Sequence, residues 1–118
     1  MFGFNIQKIN NELAITDVQY LDYKGTPMAI QFMITVEYQF KDWFPVILAF
    51  RGKKQVWRTC YRPFSSKWAA FDFGITEITR VFSGNAGEYW LLNGWAKSIG
   101  AALDKQNTIV YNEGKEKK

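Results

Sequence analysis

The stretch Met28-Ala29-Ile30-Gln31-Phe32-Met33-Ile34-Thr35-Val36-Glu37-Tyr38-Gln39-Phe40 decides the fold class. Its even positions are apolar and its odd positions mostly polar, a period of two, and strand side chains point alternately to opposite faces. The even positions are expected to form an apolar wall and the odd positions a mostly solvated face. Upstream, Gly25-Thr26-Pro27 supplies turn chemistry, and residues 13–23 are rich in β-branched and aromatic side chains, which predicts a hairpin. Asp17 and Gln19 fall in phase with Leu13, Ile15, Leu21 and Tyr23, so that strand either contains a bulge or lies at an edge.

Downstream, Lys41-Asp42 leads into residues 43–50, where Val46 to Phe50 are apolar at both parities. Such a strand is expected at the centre of a sheet, covered on both faces. Gly52-Lys53-Lys54 reverses the chain into residues 55–62, and after Pro63-Phe64-Ser65-Ser66 a further strand is predicted over 67–73. Connections this short favour antiparallel neighbours, because a parallel pair needs a crossover. Beyond Gly74, Ile75, Ile78 and Phe82 have helical spacing and predict a short helix, and residues 83–87 read as a loop. Residues 88–105 predict a firmer helix with Leu91, Leu92, Trp95, Ile99, Ala102 and Leu103 on one stripe. Gly94 and Gly100 each cost about 1 kcal/mol there relative to Ala, a cost that close packing on the sheet would explain. Residues 108–111 suggest a final short strand. The expected fold is α+β: an antiparallel β-meander of about five strands with a C-terminal helix packed on one face. Residues 1–111 form a single globular domain in this reading, and 112–118 a charged flexible tail.

A chain of 118 residues is long enough for one apolar core. The single Cys60 cannot form an intramolecular disulfide, and the first residues lack the basic and apolar regions of a signal peptide, so the expected location is cytoplasmic. The longest apolar run, residues 43–50, falls far short of the ~20 residues of a membrane-spanning helix. No membrane partner is expected.

The chain contains no histidine. That removes the commonest general base, the usual triad partner and the commonest metal ligand together. No carboxylate cluster concentrates oxygen ligands, and Gly84-Asn85-Ala86-Gly87 lacks the lysine and hydroxyl of a nucleotide-binding loop. The reading is therefore non-catalytic, without metal or cofactor. Arg58 and Arg62 would favour a Cys60 thiolate, but no base accompanies it; sharing a strand face with Val56, Cys60 reads as a small core residue. Asp72, between Phe71 and Phe73, is expected to face water.

Charge supplies the positive signal. Residues 1–42 hold three cations and five anions, and residues 72–118 hold six of each. Between them, residues 43–71 hold Arg51, Lys53, Lys54, Arg58, Arg62 and Lys67, eight aromatics and no acid. A cluster of one sign points to an anionic partner. Parity offers two surfaces on residues 55–62. If the odd face is exposed, Trp57 and Tyr61, joined by Trp68, could stack bases while the six cations neutralise phosphates, which describes single-stranded DNA or RNA binding. If the even face is exposed, Arg58 and Arg62 point outward and Trp57 and Tyr61 belong to the core. That cationic surface would suit a nucleic-acid backbone or an acidic protein patch.

The leading expectation is a non-catalytic nucleic-acid-binding domain. The alternative is a protein-interaction module, an inhibitor or adaptor, presenting this patch or the Trp90 and Trp95 region to an acidic protein. Against both stands the plain reading that aromatics at strand spacing fill cores and that lysines guard sheet edges. In architecture alone the chain resembles small sheet-and-helix domains that bind single strands. A homodimer would cover an exposed sheet edge or the second face of the helix.

Overall fold

The computed structural model describes the backbone of residues 4–83 and 89–116 and the side chains of 4–83 and 91–105. Six antiparallel strands are followed by two helices. They are β1 (Ile6–Asn10), β2 (Leu13–Thr16), β3 (Gln19–Tyr23), β4 (Thr26–Gln39), β5 (Asp42–Arg51), β6 (Lys54–Cys60), α1 (Lys67–Ser83) and α2 (Tyr89–Glu116). The sheet order is β1-β2-β4-β5-β6, and β3 also pairs with β4. The α+β meander expected from the sequence is the observed fold.

The alternating stretch forms β4, and Met28, Ile30, Phe32 and Ile34 are buried. β5 lies between β4 and β6, the central place its apolar run predicted. Residues 13–23 divide into two strands. Ile15 lies opposite Met33, whereas Gln19 lies opposite Ile30, so one extra residue is accommodated between β2 and β3. This is the bulge reading of the Asp17 irregularity, and it moves the buried parity from Ala14 and Thr16 to Leu21. Thr16 bridges the irregularity: its buried hydroxyl accepts from the Phe32 amide at 3.1 Å and donates to the Asp17 carbonyl at 2.8 Å.

The strand expected over 67–73 is instead the start of α1. Ser66 decides this, because its Oγ accepts from the Ala69 amide at 3.2 Å and its carbonyl accepts from the Ala70 amide at 3.1 Å. Capping satisfies amides that a first helical turn leaves without partners. The face then buried carries Ala70, Phe71, Gly74, Ile78, Val81 and Phe82, at helical rather than strand spacing. Asp72 is exposed as expected, but it projects from a helix. The expected strand at 108–111 is also corrected: α2 continues through it and carries the backbone to Glu116. The expected loop at 83–87 lies outside the described residues, except Ser83, which closes α1. β1 was not anticipated.

Both helices lie on one side of the sheet. Phe32 meets Phe82 of α1 at 5.3 Å and Trp95 of α2 at 5.6 Å between ring centroids. The approach is close enough to require glycine. A Cβ on Gly74 would stand 2.8 Å from Ile34 Cγ2, and one on Gly100 would stand 2.3 Å from the Tyr23 ring. Gly94 has no such neighbour.

The other side of the sheet carries no helix. Following the register, Leu13, Ile15, Met33, Phe44, Val46, Leu48 and Phe50 share it with Gln31, Thr35, Glu37, Arg58 and Cys60. The mostly solvated face expected from β4 alone is thus apolar where β2 and β5 contribute. Among the described residues, no helix is long and apolar enough to cross a membrane.

Candidate functional site

β6 contains a bulge opposite Ala49, so Gln55 pairs with Phe50 while Trp57 pairs with Ala49. The extra residue, Val56, is buried, and Trp57 turns toward the helices. Its ring lies 5.2 Å from that of Trp95, and its Nε1 donates to Ser98 Oγ at 2.9 Å. Tyr61 packs edge-on against Phe73 at 5.5 Å. Burial pushes its phenol up to about 12, since an apolar surround disfavours the charged form. From Trp57 onward the odd positions face the helices, whereas Gln55, before the bulge, is exposed opposite Phe50. Trp57 and Tyr61 are half-buried, their rings turned to the helix side against Trp95 and Phe73 rather than standing as the open stacking platforms expected from the sequence.

On the helix-free face, Arg58 Nη2 donates to Glu37 Oε1 at 2.5 Å. Glu37 lies opposite Phe44, and Arg58 opposite Leu48, so the pair runs diagonally over Val46 between them. Val46 is 0% exposed although no helix covers it. The hydrogen bond to Glu37 raises the Arg58 pKa, locking the positive charge in place. Cys60 is exposed on this face rather than a core residue, because the bulge separates its environment from that of Val56.

The nine residues selected from the sequence do not form one patch. Lys67 pairs with Glu12 at 3.5 Å and lies 5.5 Å from the Trp43 ring centroid, and Arg62 lies over Phe64 at 4.4 Å. These two, with Trp68, stand near the β4–β5 turn. Trp68 is 74% exposed and lines a cleft of about 270 Å³ with Lys8, Asn10, Asn11, Lys67, Phe71 and Asp72. Arg51, Lys53 and Lys54 stand at the β5–β6 turn, the length of β6 away, roughly 20 Å at strand rise.

At that second end the fold adds cations from other segments. Arg51 lines a cleft with Tyr23, Lys24 and Asp104, and Lys24 lines the adjoining cleft with Asp22, Asn93 and Lys97. Three cations, Lys24, Arg51 and Lys97, line these clefts with two carboxylates, Asp22 and Asp104, while Lys53 and Lys54 follow Arg51 in and after the β5–β6 turn. Lys24 is engaged by Asp104 at 3.7 Å. Arg51, Lys53 and Lys54 form no ion pair among the described residues. Lys24 and Lys97 were missed because their own segments are not basic; only the packing of α2 beside the β3–β4 turn brings them in.

Among the described residues, no three acidic or cysteine side chains converge as a metal site would require. The Trp90 side chain lies outside the described residues, and Trp95 is committed to Phe32 and Trp57. Comparison with protein-family models, with curated proteins and with solved structures finds no match.

Proposed function

We propose that the protein is a non-catalytic nucleic-acid-binding domain that engages the phosphate backbone at the end bearing the β3–β4 and β5–β6 turns. The observation that carries this reading is the set Arg51, Lys53 and Lys54, which holds no ion pair among the described residues, joined from elsewhere in the chain by Lys97 and by Lys24, the latter already engaged by Asp104. Cations that already hold a carboxylate, such as Arg58 and Lys67, have less to offer a phosphate. With Trp57 and Tyr61 half-buried and turned to the helix side, recognition is electrostatic rather than by stacking, and it takes any strand whose phosphates reach the two turns.

A fluorescent oligonucleotide titrated at two salt concentrations tests the reading. Three to five phosphate contacts predict a log–log salt slope of roughly −2 to −3.5 on a single strand. Lys54→Glu with Lys97→Glu should weaken binding at least tenfold and flatten that slope. No binding at low salt would refute the proposal.

A further inference from the structure

We infer that the cleft lined by Trp68 is a binding site for a neutral saccharide, one pyranose ring lying on the indole with its hydroxyls turned to Asn10, Asn11 and Asp72. Trp68 is 74% exposed, whereas Phe71, three residues on, packs into the core. An exposed tryptophan standing alone needs no explanation, but this one is set in a concave, polar-lined cleft, as the aromatics of ligand sites are. Residues three and four apart share a helix face, so Trp68, Phe71 and Asp72 form one wall. Lys8, Asn10 and Asn11, from β1 and the turn after it, form the other.

Both walls are held in place. The β1–β2 turn is fixed by two hydrogen bonds at Glu12, whose amide donates to Asn10 Oδ1 at 2.8 Å and whose carbonyl accepts from Thr35 Oγ1 at 2.9 Å. The α1 wall starts from the Ser66 cap, and Lys67 ties it to the turn through the Glu12 carboxylate at 3.5 Å. Walls set before a ligand arrives lose less affinity to ordering.

The polar groups select the ligand. Lys67 is taken by Glu12, which leaves Lys8 and Asp72, one charge of each sign, so the cleft carries no excess charge with which to hold a phosphate or a carboxylate. What remains is a mixed set. Lys8 only donates and Asp72 only accepts, while Asn10, whose oxygen is engaged by Glu12, still offers its amide N–H groups, and Asn11 offers both kinds. A hydroxyl both donates and accepts, so a ring of neighbouring hydroxyls meets every member of this set. The C–H face of the same ring is apolar, and its slight positive charge suits the negative face of an indole. A nucleotide could stack on the indole too, but its phosphate would find Lys8 opposed by Asp72. At about 270 Å³ the cleft falls just short of the ~300 Å³ at which pockets for drug-sized ligands begin, and it suits one ring, free or at the end of a longer glycan.

NMR titration of the isotope-labelled full chain with methyl glycosides of the common neutral hexoses, pentoses and N-acetylhexosamines tests the inference. A single ring of about a dozen non-hydrogen atoms in an open cleft is expected to bind in the millimolar range, shifting the Trp68 indole N–H and the Asn10 and Asn11 side-chain amides. Trp68→Ala should weaken binding at least tenfold, Trp68→Phe should recover part of the loss, and Asp72→Asn should weaken it at least threefold. Both side chains are exposed, so these variants keep the fold. The oligonucleotide affinity of Trp68→Ala should stay that of the parent, because the phosphate-binding turns lie at the other end, so the two readings fail separately. Sorbitol, which offers hydroxyls without a ring face, and inorganic phosphate should leave the cleft unmoved. Either one binding there as tightly as the best glycoside overturns the proposal, as does a panel in which no glycoside shifts these residues at about 20 mM.

Discussion

Gly94 and Gly100 lie in the same helix, and alanine at the two positions should have opposite effects. In a helix interior, Gly→Ala gains about 1 kcal/mol from backbone entropy and propensity. Gly94 has nothing within 4 Å of an added Cβ, so Gly94→Ala should realise most of that gain. At Gly100 the added carbon would stand 2.3 to 2.4 Å from Cγ, Cδ1 and Cδ2 of Tyr23. Normal carbon contact begins near 3.5 Å, so about 1 Å of separation must be found. The ring cannot easily supply it. Its Cγ lies close to the β3 backbone, and its hydroxyl donates to Asp104 Oδ2 at 3.0 Å, one turn further along α2. Forced repacking costs about 1–3 kcal/mol, which exceeds or cancels the propensity gain and leaves Gly100→Ala less stable by up to about 2 kcal/mol. Urea unfolding at low protein concentration, followed by circular dichroism, measures both. If Gly100→Ala matches Gly94→Ala in stability, the close seating of α2 on β3 is refuted.

Replacing Phe40-Lys41 by Asn-Gly should raise stability by about 1–2 kcal/mol, since asparagine and glycine tolerate the left-handed conformation of this turn better than phenylalanine and lysine do; thermal unfolding would detect it. Ser66→Ala should cost about 1 kcal/mol by removing the α1 cap, measured by urea midpoint, while Ser65→Ala should cost little. Tyr61 gives a pH dependence whose sign is set by burial. Its folded pKa, near 12, lies above the unfolded value of about 10, so its contribution is complete below pH 10 and is lost as pH rises through 12. Spectrophotometric titration should show one late-ionising phenol that disappears in Tyr61→Phe.

Much of the sheet was legible because strand period is a local property. The alternation of β4 and the apolar run of β5 can be read within one segment and each took its expected place in the sheet, although the helices cover β5 on one face only; the irregularity at Asp17 was legible too, but bulge and edge could not be told apart before the register was known. The start of α1 was misread because Trp68, Phe71 and Phe73 suit a strand by propensity, whereas the deciding partner, Ser66, acts through a single pair of hydrogen bonds. Residues 108–111 were misread for a similar reason. Ile109, Val110 and Tyr111 favour strands, but α2, once begun, continues through them.

The candidate site divides differently. By itself the sequence determined that six cations and no acid occupy residues 43–71, that histidine chemistry is absent, and that residues 55–62 have one aromatic and one cationic face. Composition and parity are carried by the chain whatever it packs against. Only the tertiary structure decided which face the helices cover, that Glu37 and Glu12 engage Arg58 and Lys67, and that Lys24 and Lys97 join Arg51, Lys53 and Lys54 at one end. The physical reason is that the field of a charge depends on which opposite charges lie within a few ångströms, and those distances arise between segments far apart in the chain.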